Sequence, residues 1–257
     1  MKYFYSDIDN TLNLKKSGIE VIDEKICTNI LALIKTGQIT FGVNTTRGFL
    51  RAKEAIGNIP TLPYIVLNGG QVFNVDNTPL FSFPLTQKEK VKSIDLIHKN
   101  MANIRFIATY PVLGNTSLIY ISDEKEVGKF AKKYSSSISK ITSDFNEYIN
   151  MLETNTYCMI EIKSTESIEK PTVINLVFDG LYYINKSNVN KIETMMYVLK
   201  YLKVSKEDLF FAGDSKTDFI SATYTYDLKT ICVGAAYKST YTCHDPNELI
   251  KLVEKLM

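Results

Sequence analysis

The chain has 257 residues, 45% hydrophobic and 23% charged, enough for one large domain or two modest ones with buried cores and too apolar for a disordered segment. Its 30 basic and 28 acidic residues leave a formal charge of +2, which offers no broad electrostatic footprint for nucleic acid or an anionic membrane. The cysteines Cys27, Cys158, Cys232 and Cys243 form no C-x-x-C pair and sit mostly in apolar runs, the pattern of buried free thiols and not of zinc ligands or a disulfide framework.

The apolar run Tyr3 to Tyr5 suits a short buried strand and ends in the polar loop Asp7-Ile8-Asp9-Asn10-Thr11. A helix follows near Asp23, with Ile26, Ile30, Leu33 and Ile34 at helical spacing and Gly37 as its stop. Ile39 to Val43 reads as a second strand ending at Asn44-Thr45-Thr46-Arg47. After a helix through Leu50 to Ile56, Tyr64 to Leu67 reads as a third strand, ending at Asn68-Gly69-Gly70. Strand, helix, strand, helix, strand is the order of a parallel sheet.

The middle changes character. Thr86-x-x-Glu89 is a capping box ahead of a helix carrying Ile94, Ile97, His98 and Met101 on one side, with His98 expected in the core or at a cap. Ser117 to Ser122 predicts a strand, Asp123 caps a helix bearing Val127, Phe130, Ala131 and Tyr134, and Tyr157 to Ile162 and Val173 to Phe178 predict further strands. This is an α+β stretch set between two α/β stretches, expected as a separate inserted domain over about residues 84–184, with the α/β core formed by about residues 1–83 and 185–257. The α/β order then resumes. Ile192, Met195, Met196, Leu199 and Leu202 line a helix face, and Leu209 to Ala212 and Thr230 to Val233 read as strands. Asp245, Pro246 and Glu248 open a last helix. No apolar run approaches the ~20 residues of a membrane span, and the N-terminus shows no signal-peptide pattern, so a cytoplasmic protein is expected.

In an open parallel sheet, ligands bind beyond the carboxyl ends of the strands. The residues there are Asp7 and Asp9, Thr45 and Arg47, Asn68, and Asp214 with Asp218. Two like charges ~4 Å apart repel by roughly 4 kcal/mol at an effective dielectric of ~20, so several aspartates share one site only if a cation joins them. An all-oxygen donor set favours a hard ion, Mg²⁺ before Zn²⁺.

These residues carry a resemblance. The chain resembles the haloacid dehalogenase superfamily, in the Cof-like or sucrose-phosphatase-like group with an α/β cap of the C2 type (subfamily IIB). Asp7-Ile8-Asp9-Asn10-Thr11 matches the D-x-D-x-T motif, Thr45-Thr46-Arg47 stands for T-G-R, Lys191 stands for the lysine that opens a helix after the cap, and Gly213-Asp214-Ser215-Lys216-Thr217-Asp218 matches G-D-x-x-x-D. The departures are Asn10 and Thr46 where the family usually has Gly, and Thr217 where Cof-like members usually have Asn.

The resemblance implies a doubly wound, Rossmann-like parallel core sheet with an inserted α+β cap. It implies a Mg²⁺-dependent phosphatase that acts on a small phosphorylated metabolite, a sugar phosphate by analogy. Asp7 would be the nucleophile and Asp9 the general acid and base. Thr45 and Lys191 would hold phosphoryl oxygens, with Asn68 bordering the substrate, while Arg47 stays open between a substrate contact and a surface ion pair. Asp7, Asp9 through its backbone carbonyl, Asp214 and Asp218 would surround the metal. Two other readings stay open: a phosphosugar mutase of similar fold, and a non-catalytic binder of a phosphometabolite. Ser-His-Asp hydrolysis has little support with two histidines and no G-x-S-x-G. H-E-x-x-H, the P-loop and G-x-G-x-x-G are also missing from the sequence.

Overall fold

A computed structural model describes residues 2–13, 22–112, 117–133, 138–168, 174, 176–178, 180–219, 222, 225–234 and 236–256. The elements are, in chain order, β1 (Lys2–Ser6), α1 (Glu24–Lys35), β2 (Ile39–Val43), α2 (Phe49–Ile56), β3 (Tyr64–Val66), β4 (Gln71–Phe73) and β5 (Pro79–Ser82). Next come α3 (Gln87–Asn100), β6 (Ile104–Pro111), β7 (Ser117–Ile121), α4 (Glu124–Lys133), β8 (Ile138–Thr142), α5 (Phe145–Thr154), β9 (Tyr157–Ser164), β10 (Leu176–Phe178) and β11 (Leu181–Asn185). The last are α6 (Lys191–Leu202), β12 (Leu209–Gly213), α7 (Lys216–Phe219), β13 (Lys229–Val233), β14 (Tyr241–Cys243) and α8 (Pro246–Leu256). The chain forms two units, one of Met1–Arg47, Arg51–Leu80 and Lys191–Met257, the other of Gly48–Leu50 and Phe81–Asn190.

The core unit is built on a five-stranded sheet in the order β14-β13-β12-β1-β2, with every pairing parallel. From β1 the chain moves outward through β2 on one side and, on its return, through β12, β13 and β14 on the other. The direction of winding therefore reverses between β1 and β12, and that crevice is where an open α/β sheet binds ligands. The central strands are apolar on both faces, as parallel strands must be: Phe4, Tyr5, Phe41, Leu209, Phe211 and Ile231 are buried. Tyr5 fits only because its register partner is Gly42, where a Cβ would lie 2.4 Å from the Tyr5 ring. Its hydroxyl donates to the Pro63 carbonyl oxygen at 3.0 Å. Asp23 caps α1 by accepting from the Lys25 N–H at 2.8 Å, and Gly37, the expected stop, ends the helix at φ 72°. Packing sets α1 against β2 and α8, and α6 against β3.

The inserted unit is a different kind of layer. Its six-stranded sheet runs β10-β11-β9-β6-β7-β8, antiparallel except for the β7–β8 pair. One face, with Ile107, Ile160, Ile162 and Ile184, shares a buried cluster with Leu96 and Ile97 of α3 and Tyr148 and Leu152 of α5. The other carries Ala108, Ile119 and Ile121, with Val127 of α4 against them. The capping box of α3 is present on both sides, Thr86 to the Glu89 N–H and Glu89 back to Thr86.

The sequence expectations omit β4, β5, β6, β8, β11, β14 and α5. Three of these strands are only three or four residues long. β6 is central, so neighbours Ile107 and Ala108 are both buried, on opposite faces, and period-2 alternation is lost. His98 is exposed, with its ring edge on Phe145 at 5.3 Å, which corrects its expected core position. All four cysteines are free; Cys27 is half-buried where burial was expected, and the other three are buried. Tyr134 and Val173 carry sequence expectations that lie outside the described residues.

Candidate active site

β1 stops at the point where the chain turns out of the sheet. The Asp7 N–H still bonds to the Ala212 carbonyl oxygen of β12 at 2.9 Å, and then the N–H groups of Thr11, Leu12 and Asn13 converge on the Ile8 carbonyl oxygen at 3.0–3.3 Å. This tight turn leaves Asp7 at the end of the strand, buried, in the crevice between β1 and β12. Its Oδ1 accepts from the Ile8 N–H at 2.7 Å. Its Oδ2 lies 2.9 Å from the Lys191 ammonium.

Lys191 is the first residue of α6 and is 5% exposed, so it is no solvated helix-start lysine. Its backbone is fixed by Asn44, whose side-chain amide donates to the Lys191 carbonyl oxygen at 2.9 Å. Its ammonium also reaches Asp218 Oδ1 at 3.0 Å. The other oxygen of Asp218 accepts from the Ser215 N–H at 3.2 Å and the Ser215 hydroxyl at 2.6 Å. Asp218 is wholly buried and both its oxygens are engaged. Gly213 is required beneath it, since a Cβ there would lie 2.8 Å from Asp218 Cβ and Oδ2.

Asp214 follows β12 and is half-buried; Asn10 donates to its Oδ2 at 3.0 Å. One carboxylate oxygen from each of Asp7, Asp214 and Asp218 falls within 4.8 Å of the others, a grouping that could hold a metal ion. The Asp9 carboxylate turns elsewhere and forms a two-point ion pair with Arg47, Nε to Oδ2 at 3.0 Å and Nη2 to Oδ1 at 2.8 Å. Thr45 is fully buried after β2. Its hydroxyl accepts from the Arg47 N–H at 3.2 Å, and its carbonyl oxygen accepts from the Asn68 N–H at 3.1 Å. Asn68 itself is held at φ 53° in a turn where Leu67 and Gly69 also have positive φ.

The electrostatics follow from burial. Burial pushes the Asp7 carboxyl up to about 7; Lys191 opposes this, and Asp218 and Asp9 add to it. Burial alone would lower the Lys191 ammonium, but Asp218 and Asp7 outweigh it and hold the lysine protonated. Asp214 is raised by burial and then by Asp218, with Asn10 and Lys191 opposing. Among the described residues, four carboxylates (Asp7, Asp9, Asp214, Asp218) face two side-chain cations (Lys191, Arg47), so two negative charges are left over when all are ionised. The donors are all oxygen, and the excess equals one divalent cation, so the residues present fit a hard ion such as Mg²⁺.

Each residue expected near the strand ends thus has a place in this network. Those the sequence did not single out are its supports: Asn44, Ser215 and Gly213. Ser215-x-x-Asp218 has the spacing of a capping box, a signal that was available. Asn44 carries no pattern that separates it from an ordinary strand-end polar residue.

A parallel sheet with aspartates at its switch point and a buried lysine beside them defines a class of α/β hydrolytic domain. Residues 4–220 match the family model of haloacid dehalogenase-like hydrolases, and the chain belongs to that family. No sequence among curated proteins matches it significantly. Several solved structures share the fold along the whole chain. A protein from Plasmodium vivax described as HAD/COF-like is 20% identical with a TM-score of 0.78, over 100% of this chain and 96% of that one. A HAD subclass IIB sugar phosphatase is 15% identical with a TM-score of 0.76, over 100% and 99%. A haloacid dehalogenase-like hydrolase from B. subtilis is 14% identical with a TM-score of 0.75, over 100% of both. At these identities the likeness establishes the fold: a parallel core sheet with a separate mixed-sheet insertion. Among the described residues no helix is long and apolar enough to cross a membrane.

Proposed function

We propose that the protein is a Mg²⁺-dependent phosphatase that hydrolyses the phosphomonoester of a small metabolite, with Asp7 as nucleophile. The observation that carries this reading is the placement of Asp7: buried at the switch point, paired with Lys191 at 2.9 Å and grouped with Asp214 and Asp218. Burying a carboxylate is costly, and use as a nucleophile accounts for that cost. A sugar phosphate is the favoured substrate class. Its support is one structural neighbour described as a sugar phosphatase, an analogy of fold. A reducing cytoplasm suits the four free thiols.

In this reading Asp7 attacks phosphorus as the P–O bond to the leaving group breaks, giving an aspartyl phosphate. Asp9, once one of its oxygens leaves the two-point pair with Arg47 and takes up a proton, gives that proton to the departing alkoxide. In the second half Asp9 takes a proton from water, the water oxygen attacks phosphorus, and Asp7 is released as a carboxylate with inorganic phosphate. Lys191 and the Thr45 hydroxyl hold the equatorial phosphoryl oxygens, where charge accumulates. Arg47, left open by the sequence between a substrate contact and an ion pair, is bonded to Asp9 at two points, so we assign it to orienting the acid. Asn68 shapes the Thr45 loop from below. Asp7, the Asp9 carbonyl and Asp214 would hold Mg²⁺, with Asp218 supplying charge and anchoring Lys191. Bound there, the ion would offset the carboxylate repulsion and polarise the phosphoryl group.

The test is a phosphomonoester panel with and without Mg²⁺, run beside Asp7→Asn. Activity should need the metal and should fall by at least about 10³-fold in the variant, as expected when a nucleophile is removed. Wild-type turnover by Asp7→Asn would remove Asp7 from its role, and inactivity of the wild type on every ester would end the phosphatase reading.

A further inference from the structure

Asn10 has no part in the chemical steps above, yet it touches the metal cluster. Its backbone lies at φ 57°, the left-handed region that favours glycine and tolerates asparagine. Glycine would satisfy the turn at no steric cost. The asparagine side chain is therefore not needed for the backbone, and what it adds is a donor. Its Nδ2 donates to Asp214 Oδ2 at 3.0 Å, across 204 positions of sequence. The assignment of amide nitrogen and not oxygen to this contact follows from chemistry, because an ionised carboxylate only accepts.

The three clustered carboxylates are not held alike. Asp7 is fixed by Lys191 and the Ile8 N–H, and Asp218 by Lys191 and Ser215. Asp214 stands on the loop after β12, half-buried, and the Lys191 ammonium makes its ion pairs with the other two carboxylates. Asn10 stands on the loop after β1, the neighbouring strand, so the bond also ties the two loops that frame the switch point. A carboxylate held by one oxygen presents the other in a fixed direction. The neutral amide does this without cancelling charge, whereas a lysine or arginine at the same point would offset the charge a cation needs.

We infer that Asn10 is a positioning residue for Asp214, presetting that carboxylate to receive a divalent cation. The inference rests on the Mg²⁺ reading above and deepens it. Outer partners of metal ligands are worth ~10–100-fold in metal affinity.

The experiment is calorimetric titration of metal-free protein with MgCl₂, for wild type, Asn10→Gly, Asp214→Asn and the double variant, with thermal melts of each metal-free protein. Asn10→Gly should bind Mg²⁺ about 10-fold more weakly with its metal-free melting temperature kept, because glycine suits the same backbone. In the Asp214→Asn background the same change should have no further effect on Mg²⁺ binding, since the two residues act as a unit. An unchanged Mg²⁺ constant in Asn10→Gly with a lowered metal-free melting temperature would mean a structural tie only, and would overturn the inference. Equal losses in both backgrounds would do the same. A wild type that takes up no Mg²⁺ would overturn the metal reading itself, and with it the role of Asn10.

Discussion

The two units of this chain solve the problem of burial in opposite ways. In the inserted unit, the buried cluster shared by the sheet, α3 and α5 is made of isoleucine, leucine and tyrosine, and among the described residues no charged side chain is buried. In the core unit, the strands are just as apolar, but their carboxyl ends collect charge. The buried charged side chains among the described residues are Asp7, Arg47, Lys191 and Asp218, and all four lie in the core unit. Buried charge without a partner is costly, and even well-paired charge rarely adds net stability. Gathering four such groups at one switch point is costly, and the proposed chemistry would account for the cost. The insertion shows no such concentration, and its buried residues can be explained by cohesion alone.

The contrast is broken most directly at Lys191. Lys191→Met removes the cation shared by Asp7 and Asp218 while filling a similar volume. It should lower turnover by about 10²–10³-fold, the usual cost of removing one transition-state donor. It should also cost about 3–5 kcal/mol of stability at neutral pH, because two buried carboxylates lose their counter-charge. Steady-state kinetics and urea unfolding read the two effects. A variant both active and as stable as the wild type would show that the buried pair is incidental.

Ile160→Ala is the matching change in the insertion. Ile160 is fully buried in the cluster shared by the sheet, α3 and α5. Truncation should cost about 2–5 kcal/mol. Mg²⁺ affinity should stay at the wild-type value, because every oxygen of the carboxylate group belongs to the core unit. Loss of Mg²⁺ binding on this substitution, at a temperature where the protein remains folded, would count against treating the units as energetically separate.

How far the sequence exposes each unit follows from the same contrast. The parallel strands of the core are short apolar runs followed at once by polar residues, so Tyr3–Tyr5 with Asp7, and Leu209–Ala212 with Asp214, announce both the strand and the site. The insertion offers fewer such signals. β6 buries residues on both faces, and the helix Phe145–Thr154 was passed over although Asp144 caps it with bonds to the Asn146 and Glu147 N–H groups. The site residues were legible as types at strand ends. Their pairings were not, because Asp9 with Arg47 and Asn10 with Asp214 depend on which loop neighbours which, and that is set by sheet order. A lysine at a helix start is commonly solvated, and it is burial beside Asp7 and Asp218 that sets Lys191 apart.

The smallest effect is expected where the insertion places a charge at its surface. Glu89 takes four bonds: Thr86 N–H and hydroxyl on Oε2 at 2.7 and 2.6 Å, and Ser187 N–H and hydroxyl on Oε1 at 2.7 and 2.6 Å. Partial burial would raise its carboxyl, but the bonds from Ser187 and Thr86 win and hold it at about 2, below its ordinary 4.5. A carboxyl depressed by folding contributes stability that is fully present above its unfolded value and is lost as pH falls toward the folded one. Glutamine has a single acceptor oxygen and cannot serve both pairs of donors, so Glu89→Gln should cost about 1 kcal/mol at pH 7. The gap between wild type and variant should narrow below about pH 4.5 and close toward pH 2. Urea midpoints for the two proteins at pH 7 and pH 3.5 measure it. Because this carboxylate is not part of the Asp7, Asp214 and Asp218 group, Glu89→Gln should leave Mg²⁺ binding alone; a gap that holds or widens on acidification would mean that the glutamate acts through its shape and not its charge.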